Sequence, residues 1–179
     1  MNASTPIKSY CITDSVRCNA IVQKHHPDFI LYRDKQTKQY ARNAKEFVTR
    51  CSAYPKTKLF LHQDYTLASE LGVDGVHLTS QQFDKIEAAK RLDLEVIVST
   101  HSLDEVLHAT TLGADYVTWS PIFASPNKGK PKGLKALVEV VQKSSVKVFA
   151  LGGIVTQKHI KQIEQSGAYG FASMRYFIF

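Results

Sequence analysis

The chain has 179 residues, 44% of them hydrophobic and 22% charged, the balance of a globular fold large enough to bury a core. No apolar run approaches the about 18 residues that a membrane span requires, and the start, MNASTPIKSY, lacks the apolar core of a signal peptide, so a cytoplasmic protein with no membrane partner is expected. The net charge of +7 is spread along the chain. It favours phosphorylated ligands, while no motif concentrates it for nucleic acid.

Ser9-Tyr10-Cys11-Ile12-Thr13 reads as a short buried strand ending at Asp14. A mixed stretch through Ile21 and Val22 leads to His25-His26-Pro27, and Phe29 to Tyr32 form a second strand with a charged end, Arg33-Asp34-Lys35. Thr37 is expected to cap a helix carrying Tyr40, Ala44, Phe47, Val48 and Cys51 at helical spacing. A third strand, Lys58 to Leu61, ends at His62-Gln63-Asp64, and a short helix from Tyr65 stops at Gly72. Gly75 to Leu78 is the fourth strand, followed by a helix with Phe83, Ile86 and Ala89. Glu95 to Val98 is the fifth, ending at Ser99-Thr100-His101. Ser102 then caps a helix, with Glu105 at the capping-box position. Tyr116 to Trp119 is the sixth strand, and it breaks into a polar, basic loop, Ser125 to Lys132, before a helix from Leu134. Val146 to Leu151 is the seventh, running into Gly152-Gly153, with Thr156 capping the next helix. Tyr169 to Ala172 is the eighth, followed by Ser173-Met174.

Strand and helix thus alternate eight times with no linker, so residues 1–179 read as one domain. The pattern allows a doubly wound sheet or a parallel barrel; eight units with polar groups at the strand ends favour the α/β TIM barrel. The chain is well below the roughly 250 residues typical of that fold, so its helices must be short. Cys11, Cys18 and Cys51 are odd in number without a CxxC spacing, which suggests neither a disulfide framework nor a zinc site.

In a barrel the strand carboxyl ends converge on one face, so the groups to weigh are Arg33, Lys35, His62, Gln63, His77, Ser99, His101, the Ser125–Lys132 loop, Gly152-Gly153 and Ser173-Met174. Two glycines after the seventh strand let backbone N–H groups approach a phosphate. His77 and His101 adjoin buried strand residues and read as structural, whereas His62, followed by Gln63 and Asp64, lies where a ligand would be. No pair of histidines has the helical spacing of a zinc site, and Ser99 lacks a nucleophile elbow.

Five stretches, YCITD, LYRDK, GVDGVHL, VSTHSLDEVLHATTLGADYV, and SPIFASPNK with LGGI and FASM, resemble the thiamine phosphate synthase and TenI superfamily over nearly the whole chain. The resemblance implies a TIM barrel that binds a small phosphorylated thiazole and, in a synthase, also a pyrimidine diphosphate and the pyrophosphate it releases. It implies that Lys35 contacts pyrophosphate and that Ser99 lies near the pyrimidine. Ser125, Asn127 (in place of a usual Thr or Ser) and Lys128 would hold phosphate, as would the Gly152-Gly153 turn with Ser173-Met174.

The departures bear on activity. Synthases hold magnesium with an aspartate after strand three and another after strand four; here those positions are Gln63, with Asp64 displaced by one, and Gln82. The pyrimidine-reading glutamine is Leu31, and the histidine with which TenI-type proteins isomerise the thiazole is Pro121. The expectation is therefore a TenI-like thiazole tautomerase with no tightly bound cofactor and no metal ligands, using His62 as acid/base. The alternatives are a thiamine phosphate synthase, needing Mg2+ only if that activity is retained, and a catalytically silent thiazole-phosphate binder. A homo-oligomer stays open.

Overall fold

The computed structural model describes residues 6–178, so part of the amino-terminal stretch read for a signal peptide lies outside the described residues. Eight strands follow one another: β1 (Lys8–Thr13), β2 (Phe29–Tyr32), β3 (Lys58–His62), β4 (Gly75–Leu78), β5 (Glu95–Thr100), β6 (Tyr116–Trp119), β7 (Lys147–Leu151) and β8 (Gly170–Ser173). All neighbours pair in parallel, and β8 returns to β1, closing a TIM barrel in chain order. The helices between them are α1 (Asn19–His25), α2 (Tyr40–Cys51), α3 (Tyr65–Glu70), α4 (Ile86–Lys90), α5 (Leu103–Thr111), α6 (Gly133–Lys143) and α7 (Gln157–Gln165). The economy that the chain length demands shows in α4, only 5 residues long. After β8 the chain enters a 3-10 turn, Arg175–Phe177.

Ser102 and Thr156 cap as expected, each hydroxyl accepting an N–H three residues on, from Glu105 at 3.2 Å and His159 at 3.2 Å. Thr37 does not cap α2. Its hydroxyl accepts the Gln39 N–H at 3.1 Å, making a turn before the helix, which starts after Gln39. The cysteine expectation is also corrected: Cys18, just before α1, and Cys51, at the end of α2, are disulfide-paired with Cα atoms 6.4 Å apart. Packing of α1 beside α2 brings together two residues 33 apart in sequence, which spacing could not show. Cys11 is the buried free thiol, in a core position as expected, and burial raises its pKa to about 12.

Every strand is covered on both faces, so side chains divide by alternation into two cores. Residues pointing into the barrel are Tyr10, Ile12, Phe29, Leu31, Phe60, Ile97, Tyr116, Phe149 and Ala172. Aromatic rings fill its lower half: Tyr10, Phe29 and Phe149 lie 5.2–6.0 Å apart. Gly75 and Gly170 make room for them, since a Cβ there would lie 2.3 Å from the Phe60 ring and 2.4 Å from the Phe149 ring. The opposite faces, such as Val76, Val96, Val98 and Val117, pack under the helices with Ala44, Phe47, Val106, Leu137 and Ile163.

At the amino ends of the strands a motif recurs. Asp28, Asp74 and Asp115 each precede an even-numbered strand and accept the N–H of the preceding odd strand: Ser9 at 2.9 Å, Leu59 at 2.7 Å and Val96 at 2.7 Å. Two of them also pair with lysines, Asp28 with Lys8 at 2.8 Å and Asp115 with Lys90 at 2.7 Å. Buried backbone donors of a sheet must find acceptors, so this end reads as the stabilising face and leaves the opposite mouth for function. Among the described residues, no helix is long and apolar enough to cross a membrane.

Candidate functional site at the barrel mouth

At the carboxyl ends, alternation continues the inward-facing rows upward. On β3 to β6 these rows end in polar groups, His62, His77, Ser99 and Thr118, while on β7, β8, β1 and β2 they end in Leu151, Ala172, Met174, Ile12 and Leu31. The mouth therefore has one polar and one apolar wall.

The polar wall is wired to the floor. The Tyr10 hydroxyl lies 2.7 Å from His77 Nδ1, and His77 Nε2 lies 2.9 Å from Ser99 Oγ. His62 packs edge-on to His77, ring centroids 6.2 Å apart. Both nitrogens of His62 are buried without a hydrogen-bond partner, as is the Thr118 hydroxyl. His62 was expected at a strand end, and it closes β3, only 9% exposed. Burial, followed by the charges of Arg33 and Lys35, lowers its pKa to about 4, so it is neutral near pH 7. Burial likewise lowers the pKa of His77. His101, read as structural, is exposed, its Nδ1 3.5 Å from the Ser120 carbonyl oxygen.

Arg33 follows Leu31 on the inward row above β2. It is half-buried, and among the described residues no carboxylate lies in salt-bridge contact with it, with Lys35 or with Lys128. Burial lowers the pKa of Arg33. Arg33 first, then burial and Lys128, lower that of Lys35, so these three cations share one region of the rim. Asp34 is no counter-ion, because its carboxylate accepts the N–H groups of Gln36 at 2.9 Å and Thr37 at 3.2 Å. The loop after β6 turns at Asn127, in the left-handed region at φ 57°, and the Lys128 N–H reaches the Ser125 carbonyl at 3.3 Å. Ser125 is half-buried; Asn127 and Lys128 are exposed. Lys132 of the same loop lies 4.9 Å over the Trp119 ring.

The structure gives the glycine turn a second reason. Gly152 and Gly153 have φ of 103° and 71°, and a Cβ on Gly153 would lie 2.6 Å from the Ala124 carbonyl oxygen. The loop after β6 packs directly on the loop after β7, so these glycines are needed for loop packing whether or not a phosphate binds. Ser173 faces outward, its hydroxyl donating to the Ile154 carbonyl at 2.7 Å and accepting the Tyr176 N–H at 3.1 Å. Met174 instead packs against the barrel interior.

The residues present do not fit a magnesium ion held by protein carboxylates. The Gln82 side-chain amide donates to the Gln63 carbonyl at 3.3 Å, and its oxygen accepts the Thr79 N–H at 3.1 Å. Asp64 caps α3, accepting the Leu67 N–H at 2.9 Å. The positions after β3 and β4 are thus joined by a neutral amide, and the nearby carboxylate is already engaged. Sequence reasoning missed Tyr10 and Thr118 as site residues. Tyr10 sits in an apolar run, and only its inward phase toward the fourth strand's histidine could have marked it.

The model of the thiamine monophosphate synthase family matches residues 9–177. A putative thiamine-phosphate synthase 2 of Aquifex aeolicus is 37% identical over 150 residues, covering 82% of this chain and 79% of that protein. A thiamine-phosphate synthase of Caldivirga maquilingensis is 31% identical, covering 92% and 82%. One from Synechocystis is 34% identical, and the chain spans 44% of its length. The solved structure of a thiamine phosphate pyrophosphorylase from Pyrococcus furiosus superposes with a TM-score of 0.81 at 26% identity, covering 94% of this chain and 85% of that one.

Proposed function

Because the chain belongs to the thiamine monophosphate synthase family, matched from residue 9 to residue 177, we propose that it binds a phosphorylated thiazole at the barrel mouth and joins it to a pyrimidine diphosphate, giving thiamine phosphate and pyrophosphate. The observation that carries this reading is Arg33, a half-buried guanidinium with no counter-ion in salt-bridge contact among the described residues, in the same region as Lys35 and Lys128. A half-buried cation with no partner is only partly solvated, and a phosphate oxygen offers the matching acceptor. In this reading Arg33, Lys35 and Lys128 neutralise the departing pyrophosphate, Ser125 and Asn127 hold the second phosphate, and the apolar wall of Leu31, Leu151 and Met174 takes a ring face.

The sequence put tautomerisation first. The synthase comes first here because the relatives carry synthase names. Isomerisation of the thiazole remains the second reading, favoured by the two unpartnered nitrogens of buried His62. Its lowered pKa makes it a weak proton shuttle at pH 7. The test mixes purified protein with each thiazole phosphate isomer, with and without hydroxymethylpyrimidine diphosphate and magnesium, and identifies the products. Thiamine phosphate supports the joining reaction, interconversion of isomers without the pyrimidine supports the second reading, and binding without turnover refutes both.

A further inference from the structure

The direction of the chain Tyr10–His77–Ser99 turns on where the proton at each end can go. Tyr10 is fully buried, ringed by Phe29, Phe60 and Phe149, and its hydroxyl touches one polar atom, His77 Nδ1 at 2.7 Å. If Nδ1 carried the proton and donated to Tyr10, the phenolic proton would face hydrocarbon. A buried unsatisfied donor costs roughly 1–3 kcal/mol. Burial raises the pKa of Tyr10 and lowers that of His77, so neither a tyrosinate nor an imidazolium offers a way out. The proton of Ser99, by contrast, lies at the half-buried mouth, where water or a ligand can accept it.

We propose that Tyr10 donates to His77 Nδ1, that His77 Nε2–H therefore donates to Ser99 Oγ, and that Ser99 is left as a hydrogen-bond donor aimed into the mouth. Tyr10 and His77 are then positioning residues acting through Ser99, and the ligand must present an acceptor at that point: a ring nitrogen or an anionic oxygen, not an amino or hydroxyl proton. The inference rests on the proposed binding site for what accepts the bond. The polarity of the chain itself rests only on the buried hydroxyl.

The experiment has two arms. In the free wild type, ring 15N–1H correlation spectra of His77 should show the Nε2–H tautomer, and Tyr10→Phe should shift the population toward Nδ1–H. Titration with hydroxymethylpyrimidine diphosphate and with the thiazole phosphate should show Tyr10→Phe and Ser99→Ala each weakening one of them by about fivefold. The double variant should be no weaker than Ser99→Ala alone. An Nδ1–H tautomer in the wild type, or additive losses in the double variant, overturns the inference. A wild type that binds neither probe refutes the binding site instead, and the tautomer spectrum then decides the polarity by itself.

Discussion

Single side chains at the mouth show how far environment outweighs chain position. His62 was legible as a strand-end residue, but its protonation state was not, because it depends on burial in the folded barrel and on Arg33 and Lys35, which come from the loop after β2. Its folded pKa of about 4 lies below the ordinary 6.5, so the unfolded chain binds the proton more readily. The stability it contributes is complete above about pH 6.5 and is lost as pH falls toward 4. His62→Asn should therefore flatten the pH dependence of denaturant unfolding in that window, by on the order of 3 kcal/mol at its acid end; an unchanged profile would show that His62 is not held neutral. The two glutamines lead to a second expectation. Calorimetry of the free wild type should show no tight magnesium site, whereas Gln63→Asp combined with Gln82→Asp should create one and break the amide link between the two loops.

At the level of elements, the strands and most caps could be read from the sequence because their signals are local: period-two burial, Ser102 and Thr156 before helices, glycines after them. What escaped was loop against loop. The Gly152-Gly153 turn reads as a phosphate cradle in sequence, yet the residues that exclude a side chain there are Pro121 and Ala124, from a segment some thirty positions earlier. Gly153→Ala should accordingly destabilise the fold by about 1–3 kcal/mol, through both its left-handed backbone and the clash with the β6 loop. Thermal unfolding would measure this; a variant that lost phosphate affinity at unchanged stability would mean that the neighbouring loop gives way. The Cys18–Cys51 pairing escaped for the same reason, depending on how α1 lies beside α2.

For the molecule as a whole, its net charge of +7 takes on meaning through placement. At the amino-terminal face Lys8, Lys58 and Lys90 are paired with Asp28, Glu95 and Asp115, whereas Arg33, Lys35 and Lys128 at the mouth have no such partners among the described residues. Affinity for a phosphorylated ligand should thus fall as salt rises, and Arg33→Met should remove much of that dependence; equal salt slopes for the two proteins would place the anion elsewhere. The sequence showed the excess of charge but not this asymmetry, which needs the pairings across the barrel. The aspartate motif divides the barrel in a further way. Three strand pairs, β1–β2, β3–β4 and β5–β6, are fastened by a carboxylate on a backbone amide. In the fourth pair Tyr169 occupies the position before β8 and brings no carboxylate to the Val148 amide. Opening is governed by the least fastened place, so in deuterium labelling the lower ends of β7 and β8 should take up solvent deuterium earliest. A closed ring would then breathe as if it had two ends.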